Sequence, residues 1–348
     1  MTARGVKAPP LAAIFGCAGP RLLLRERDFF HEVDPAGFIL FSRNVESPAQ
    51  LNALVAALRD SVGRPDALVL IDQEGGRVAR LRPPHWRAVP AAARFGELAQ
   101  HDMENGRKAA WLNARLLADD LAVLGISVDC LPVLDLRIPG AHDIVGDRSY
   151  GADPDLVSAL AGAVCEGLMD GGVLPIVKHI PGHGRATVDS HHELPIVAAE
   201  RELLEISDFM PFRRLSGMPL AMTAHIVYQA VDPDCPATTS ARVINEIIRG
   251  SIGFGGLLLT DDLSMKALGG SLGERAANAL AAGCDIVLHC NGDSEEMRQI
   301  AGAAGRLDGN ALKRYRDAMS AFRPPRPFDR PSAEAELATL MGLDDKAW

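Results

Sequence analysis

Eight short apolar runs, most of them followed by a longer amphipathic stretch, constrain the fold of this chain more than any other feature. They span 11–16, 37–42, 67–72, 127–134, 174–179, 220–225, 256–261 and 285–290. Runs this short and this rich in Val, Ile and Leu read as strands buried on both faces. The stretches between them carry helical periodicity over 48–62, with Ser47 as N-cap, 104–124, closed by Gly125, and 154–169, closed by Gly171 and Gly172. Four more follow over 200–215, 241–248, 273–282 and 294–306. Strands alternating with helices make parallel βα units, and eight strands in this order fit an α/β fold of the (β/α)₈ TIM-barrel type better than an open doubly wound sheet. No Gly-rich dinucleotide fingerprint follows an early strand, which weakens the open-sheet alternative further. At 348 residues the chain is long for one domain, but α/β barrels fill this length with a single core. The expected division is a barrel over 1–309 and a helical tail over 310–348, broken at RPPRPFDRP, that wraps the barrel.

The formal net charge of -9 and the absence of Lys/Arg runs exclude the footprint of a nucleic-acid binder. Six cysteines show no paired metal-ligand spacing, so they read as reduced core thiols. No apolar run reaches the ~18–20 residues that cross a bilayer. The apolar start at 11–15 falls short of a signal-peptide core, so it reads as a first buried strand and the protein as cytoplasmic. An acidic surface without an obvious apolar patch points to a monomer.

In a barrel of parallel strands, the chemistry gathers at the C-terminal strand ends. The third run ends in Asp72, Glu74, Arg77 and Arg80; the fourth in Asp135, followed by Arg148. The fifth ends in Lys178 and His179, the sixth in His225, the seventh in Asp261 and Asp262. Buried carboxylates are costly without partners or a task. A plainer assignment makes Asp262 or Ser264 the cap of the next helix, Lys178 a snorkelling surface residue, and Asp72 with the arginines a set of structural ion pairs. On the expected geometry Asp261, nearest the barrel axis, is left for chemistry.

The stretch VKHIPGHGRATVDSHHELP, residues 177–195, holds four of the ten histidines. A zinc site would want His-x-His after an early strand or His-Glu-x-x-His on a helix, and neither occurs. A phosphate cradle would open into a helix, whereas this loop runs into Pro195. The reading that fits pairs Asp189 with His191, two residues apart, as a carboxylate-assisted imidazole that gives and takes a proton near neutral pH. With Asp261 this supplies an acid/base and a carboxylate nucleophile, the needs of a retaining glycosidase.

The segment KHIPGHGRATVDSH, 178–191, closely resembles the signature of bacterial β-N-acetylglucosaminidases of glycoside hydrolase family three, with Ile180 where that signature has Phe. The likeness extends in order through GFILFSRN, IDQEGGRVARL, LPVLDL, RSYG, AHIVY and TDDLSM. It implies Asp261 as the nucleophile of a covalent glycosyl-enzyme, His191 as general acid/base and Asp189 as its partner. It further implies that Asp72, Arg80, Arg148, Lys178 and His179 hold N-acetylglucosamine, that Arg77 supports the site from behind, and that His183 and His192 shape a mobile loop. No metal or other cofactor is implied. The activity implied is removal of terminal non-reducing N-acetylglucosamine from β-1,4-linked anhydromuropeptides in peptidoglycan recycling. Two rivals are a non-catalytic sugar-binding barrel, which would not need both Asp261 and His191, and a β-glucosidase of the same family, whose members usually add a second domain.

Overall fold

The computed structural model describes residues 8–190 and 193–343. Eight parallel strands close into a barrel: β1 (Leu11–Gly16), β2 (Pro35–Leu40), β3 (Leu68–Ile71), β4 (Val128–Asp129), β5 (Leu174–Ile180), β6 (Leu220–Thr223), β7 (Leu257–Asp262) and β8 (Ile286–His289). Each strand pairs with its neighbour in sequence, and β1 closes on β8 through registers such as Ile14 against Leu288. All eight apolar runs of the sequence thus become barrel strands.

The two-residue period of a strand sorts the core into two layers. Ile14, Ile39, Leu70, Ile176, Met222, Leu259 and Leu288 fill the lumen. The alternate set, including Phe15, Phe38, Val69, Val177, Ala221, Leu258 and Val287, packs outward against the helices. Carried one step past the last lumen layer, the same parity brings Phe41, Asp72, Lys178, Asp261 and Cys290 over the barrel mouth. The polar strand ends are therefore aimed by the pleat itself.

Eleven α-helices are described: α1 (Leu24–Val33), α2 (Pro48–Val62), α3 (Ala92–His101), α4 (Met103–Ala122), α5 (Pro154–Asp170), α6 (Arg201–Ile206), α7 (Met210–Arg214), α8 (Leu272–Ala282), α9 (Ser294–Ala303), α10 (Gly309–Ser320) and α11 (Arg330–Met341). The helical segment Val243–Ser251 is wound as a π-helix. Ser47 caps α2 as expected, accepting from the Gln50 N–H. The tail contributes Tyr315 and Ala318 to the lumen cluster, so α10 packs onto the barrel floor. Helix α11 lies on α4.

Several expectations need correction. The fourth run, expected as a strand over 127–134, keeps regular pairing only at Val128–Asp129, because Pro132 has no N–H for the ladder. The helix expected over 200–215 is split into α6 and α7, with Pro211 in the first turn of the second. Helices α1 and α3, absent from the expected set, carry no side-chain N-cap at Leu23 or Ala91. In α3, Gly96 is required by packing: a Cβ there would sit 1.7 Å from the Tyr150 carbonyl oxygen. Among the described residues, no helix is long and apolar enough to cross a membrane.

Candidate active site

A cavity of about 440 Å³ opens over the C-terminal ends of the strands. Its floor is the top lumen layer, Ile39, Met222 and Leu288, and its polar wall is Asp72, Glu74, Arg80, Arg148, Lys178, His179 and Asp261. Asp72, Lys178, His179 and Asp261 are thus brought together from strand ends far apart in sequence, while Arg80 arrives on the loop after β3 and Arg148 on the loop after β4.

Lys178 anchors the wall. Only 2% of its side chain is exposed, and its ammonium lies 2.9 Å from Asp72 Oδ1 and 2.7 Å from Glu74 Oε1. The snorkelling alternative is therefore excluded. Glu74 accepts from Arg148 Nε and Nη2, 2.8 Å each, a bidentate fork. Asp72 accepts from Arg80 at 3.1 Å, and the Arg80 guanidinium stacks 5.1 Å from the centre of the Phe41 ring. Burial pushes both carboxyls up, but the adjacent cations outweigh it: Lys178 and Arg80 hold Asp72 well below the usual carboxylate range, and Arg148 with Lys178 brings Glu74 down to about 2. The same carboxylates drive Lys178 and Arg148 upward against their burial. Two carboxylates facing three permanent cations make a rigid, ionised wall whose groups can both donate to and accept from hydroxyls.

A depressed pKa stabilises the fold only while the group is ionised. Glu74 goes from 4.5 in the unfolded chain to about 2, so its contribution is complete above pH ~5 and disappears as pH falls through 2. The stability gap between wild type and Glu74→Gln, measured by urea unfolding, is therefore expected to shrink by about 3 kcal/mol between pH 6 and pH 2. A gap constant over that window overturns the ionised assignment.

Asp261 and Asp262 divide the labour at the end of β7. Asp261 faces the cavity and accepts from the Asp262 N–H at 2.8 Å. Burial raises its carboxyl, but His179, then His225 and that N–H, reverse the direction, so it stays below its ordinary value. Asp262 instead holds a turn, accepting from the Ser264 N–H (3.1 Å), the Ser264 hydroxyl (2.6 Å) and the Cys290 N–H (3.2 Å). Neither Asp262 nor Ser264 caps the following helix; Ser271 does, in a capping box with Glu274. His225 supports the strand end from behind. Burial pushes its pKa down and keeps it neutral, its Nε2 donates to the Asp262 carbonyl at 3.0 Å, and its Nδ1 accepts from the Thr238 hydroxyl at 2.7 Å.

The histidine-rich loop is bound to the site at its root. His183 donates its backbone N–H to Asp135 at 2.6 Å, and its Nε2 lies 3.2 Å from the Ser190 hydroxyl, which lines the cavity. Burial brings the His183 imidazole down to about 4, so it is neutral at working pH and shapes the loop without charge. Asp189 is half-buried and its carbonyl accepts from the Glu193 N–H. His191, the acid/base candidate, and His192 lie outside the described residues. Arg77, expected behind the site, lines the cavity rim, donating to the carbonyls of Asp143 and Ile144 and pairing with Asp147 at 3.2 Å.

Glu74 and Asp135 are visible in the sequence as strand-end acids, but nothing there assigns them a task. Their partners, Arg148 and His179, lie 74 and 44 positions away. A larger cavity, about 750 Å³, opens at the opposite end of the barrel, but its Arg314 and Arg326 are engaged by Asp285 and Asp170. Nothing in it brings together reactive groups.

The model of the glycosyl hydrolase family 3 N terminal domain matches residues 25–315. This chain belongs to glycosyl hydrolase family 3. It is a β-hexosaminidase-like glycoside hydrolase of that family. A protein named beta-hexosaminidase from Alkalilimnicola ehrlichii is 42% identical over 282 residues, 80% of either chain. One of the same name from Pseudomonas aeruginosa is 40% identical over 281 residues, 78% of this chain and 80% of its own. The crystal structure of NagZ from Neisseria gonorrhoeae in complex with N-trifluoroacetyl-D-glucosamine superposes with a TM-score of 0.86 at 33% identity. It covers 96% of this chain and 99% of that one. The family 3 fold and the charged cavity thus belong together here.

Proposed function

We propose that this family 3 enzyme is a retaining exo-β-N-acetylglucosaminidase that releases terminal non-reducing N-acetylglucosamine from β-1,4-linked anhydromuropeptides. One observation carries this reading: a half-buried, ionised Asp261 sits in the same closed-floored cavity as the Asp72, Glu74, Arg80, Arg148, Lys178 wall. A cavity floored by apolar side chains takes the end of a chain and not its middle, which favours exo action. A non-catalytic binder could lose Asp261 or His191, and this chain carries both. The identity of the sugar rests on the relatives, whose name is beta-hexosaminidase and one of which is seen with a glucosamine derivative.

In this mechanism Asp72, Arg80, Arg148, Lys178 and His179 hold the sugar and Asp261 attacks its anomeric carbon. The bond to the leaving oxygen breaks with its electron pair on that oxygen, which takes a proton from His191. Water then gives a proton back to His191 and attacks the same carbon, releasing Asp261 and the sugar with its β configuration retained. Asp189 orients His191 for both transfers. The reading further places the enzyme in the cytoplasm, acting as a monomer in cell-wall recycling.

A fluorinated N-acetylglucosaminide should label the protein once, with the mass increment on the peptide bearing Asp261. Label on any other carboxylate, or none with an otherwise active enzyme, removes Asp261 from the nucleophile role. His191→Ala is expected to slow glycosylation by roughly 10²- to 10⁴-fold on poor leaving groups and far less on an activated phenolate, which needs no proton. Equal slowing on both substrate types would remove the acid role from His191.

A further inference from the structure

We propose that Asp135 is a positioning residue of the glycosidase reaction: its single buried carboxylate dictates which nitrogen of His179 faces the sugar, and it holds the root of the catalytic loop. The proposal rests on the functional reading above and adds a residue to which that reading gives no part.

Asp135 is fully buried and does not line the cavity, so it cannot touch substrate. It nevertheless collects three donors from the elements that do. Its Oδ2 lies 2.7 Å from His179 Nδ1, and its Oδ1 accepts the backbone N–H groups of His179 (3.2 Å) and His183 (2.6 Å). An ionised carboxylate can only accept, so Nδ1 of His179 carries a proton and Nε2 is the nitrogen left for the cavity. The charge is secure: burial raises the Asp135 carboxyl, but His179 and then His183 bring it down to about 2.

The second half of the arrangement is mechanical. From His183 the hydrogen bonds run on to Ser190 on the cavity wall, and the Ala267 N–H fixes the Ser190 carbonyl at 3.3 Å. At Gly184 a Cβ would sit 2.1 Å from the carbonyl oxygen of Leu136, so the loop root is pressed against the residue that follows Asp135. One carboxylate thus joins a sugar-facing imidazole to the base of the segment that carries Asp189 and leads to His191.

Asp135→Asn separates tautomer from packing. An Asn can keep its amide oxygen on the two backbone N–H groups while its NH₂ faces Nδ1, which must then accept, so the imidazole proton moves to Nε2. The expected result is a fall in kcat/KM of roughly 10²- to 10⁴-fold with a displaced pH profile and a melting temperature close to wild type. His179→Ala should cost little more in the Asp135→Asn background, because the two act as a unit. Asp135→Ala also frees the His183 N–H, so KM should rise further than in the Asn variant. Wild-type kinetics in Asp135→Asn, or losses that multiply in the double variant, overturn the tautomer role; an Ala variant no worse than Asn overturns the loop-root role. Should the variants fail to fold, the histidine ¹H–¹⁵N spectrum of the wild-type enzyme decides. A proton on Nδ1, assigned by its loss in His179→Gln, supports the proposal, and a bare Nδ1 overturns it. If the wild type itself does not turn over an aryl N-acetylglucosaminide, the functional reading fails, and the spectrum still reads the tautomer.

Discussion

Asp261→Asn should leave a folded enzyme with kcat/KM on aryl N-acetylglucosaminides lowered by roughly 10⁴- to 10⁶-fold, the scale on which removing a nucleophile acts. The substitution preserves an oxygen to accept the Asp262 N–H, so the strand end keeps its shape. Product binding, read by titration with N-acetylglucosamine, should change little, because the groups assigned to hold the sugar remain. Asp262→Asn gives the opposite pattern. Its carboxylate serves the Ser264 turn and the Cys290 N–H, so its loss should register as lowered thermal stability with part of the activity retained. If Asp262→Asn were the inactive variant and Asp261→Asn the active one, the assignment of the nucleophile would be wrong.

Lys178→Met should be the most destabilising single change at the site, by about 3–5 kcal/mol in urea unfolding at pH 7. The apolar stem fits the same space, so the loss is electrostatic. Asp72 and Glu74, now 14% and 4% exposed beside a common ammonium, would face each other with Arg80 and Arg148 alone to balance them. Both carboxyls would rise toward and above their ordinary values, so protonation should relieve the variant. The deficit against wild type is expected to narrow as pH falls from 7 to 4, while activity stays low across the range. A deficit that stays constant over this window would point to lost packing instead of lost charge.

The parts of the site that the sequence makes legible are those set by local periodicity. Asp72, Lys178 and Asp261 each end an apolar run at a position whose parity is that of the lumen residues, as in Leu257, Leu259, Asp261. Pattern alone therefore aims them at the barrel axis once a barrel is assumed. Helices with start or stop residues are equally legible, α2 from Ser47 and α5 from Pro154 and its glycine stop. Helices α1 and α3 pass unseen, since Leu23 and Ala91 carry no start signal and tertiary packing supplies what the ends lack.

The pairings were not legible. Nothing local tells that Glu74 belongs to Arg148, that Asp262 ties Cys290, or that Asp135 serves His179 and His183, because each joins residues from different βα units. For the same reason Asp262 looked like a helix cap: a strand-end acid caps whatever N–H groups the turn presents, and here these belong to Ser264 and Cys290.

By itself the sequence determined the eight βα units and the row of ionisable side chains at the strand ends, since two-residue and 3.6-residue periods are properties of the local chain, whereas closure of the barrel is a pairing between its first and last strands. Only the tertiary structure decided which of those charges are permanently ionised, which support and which face the cavity, because burial and the distance between charges exist only once the strands are side by side.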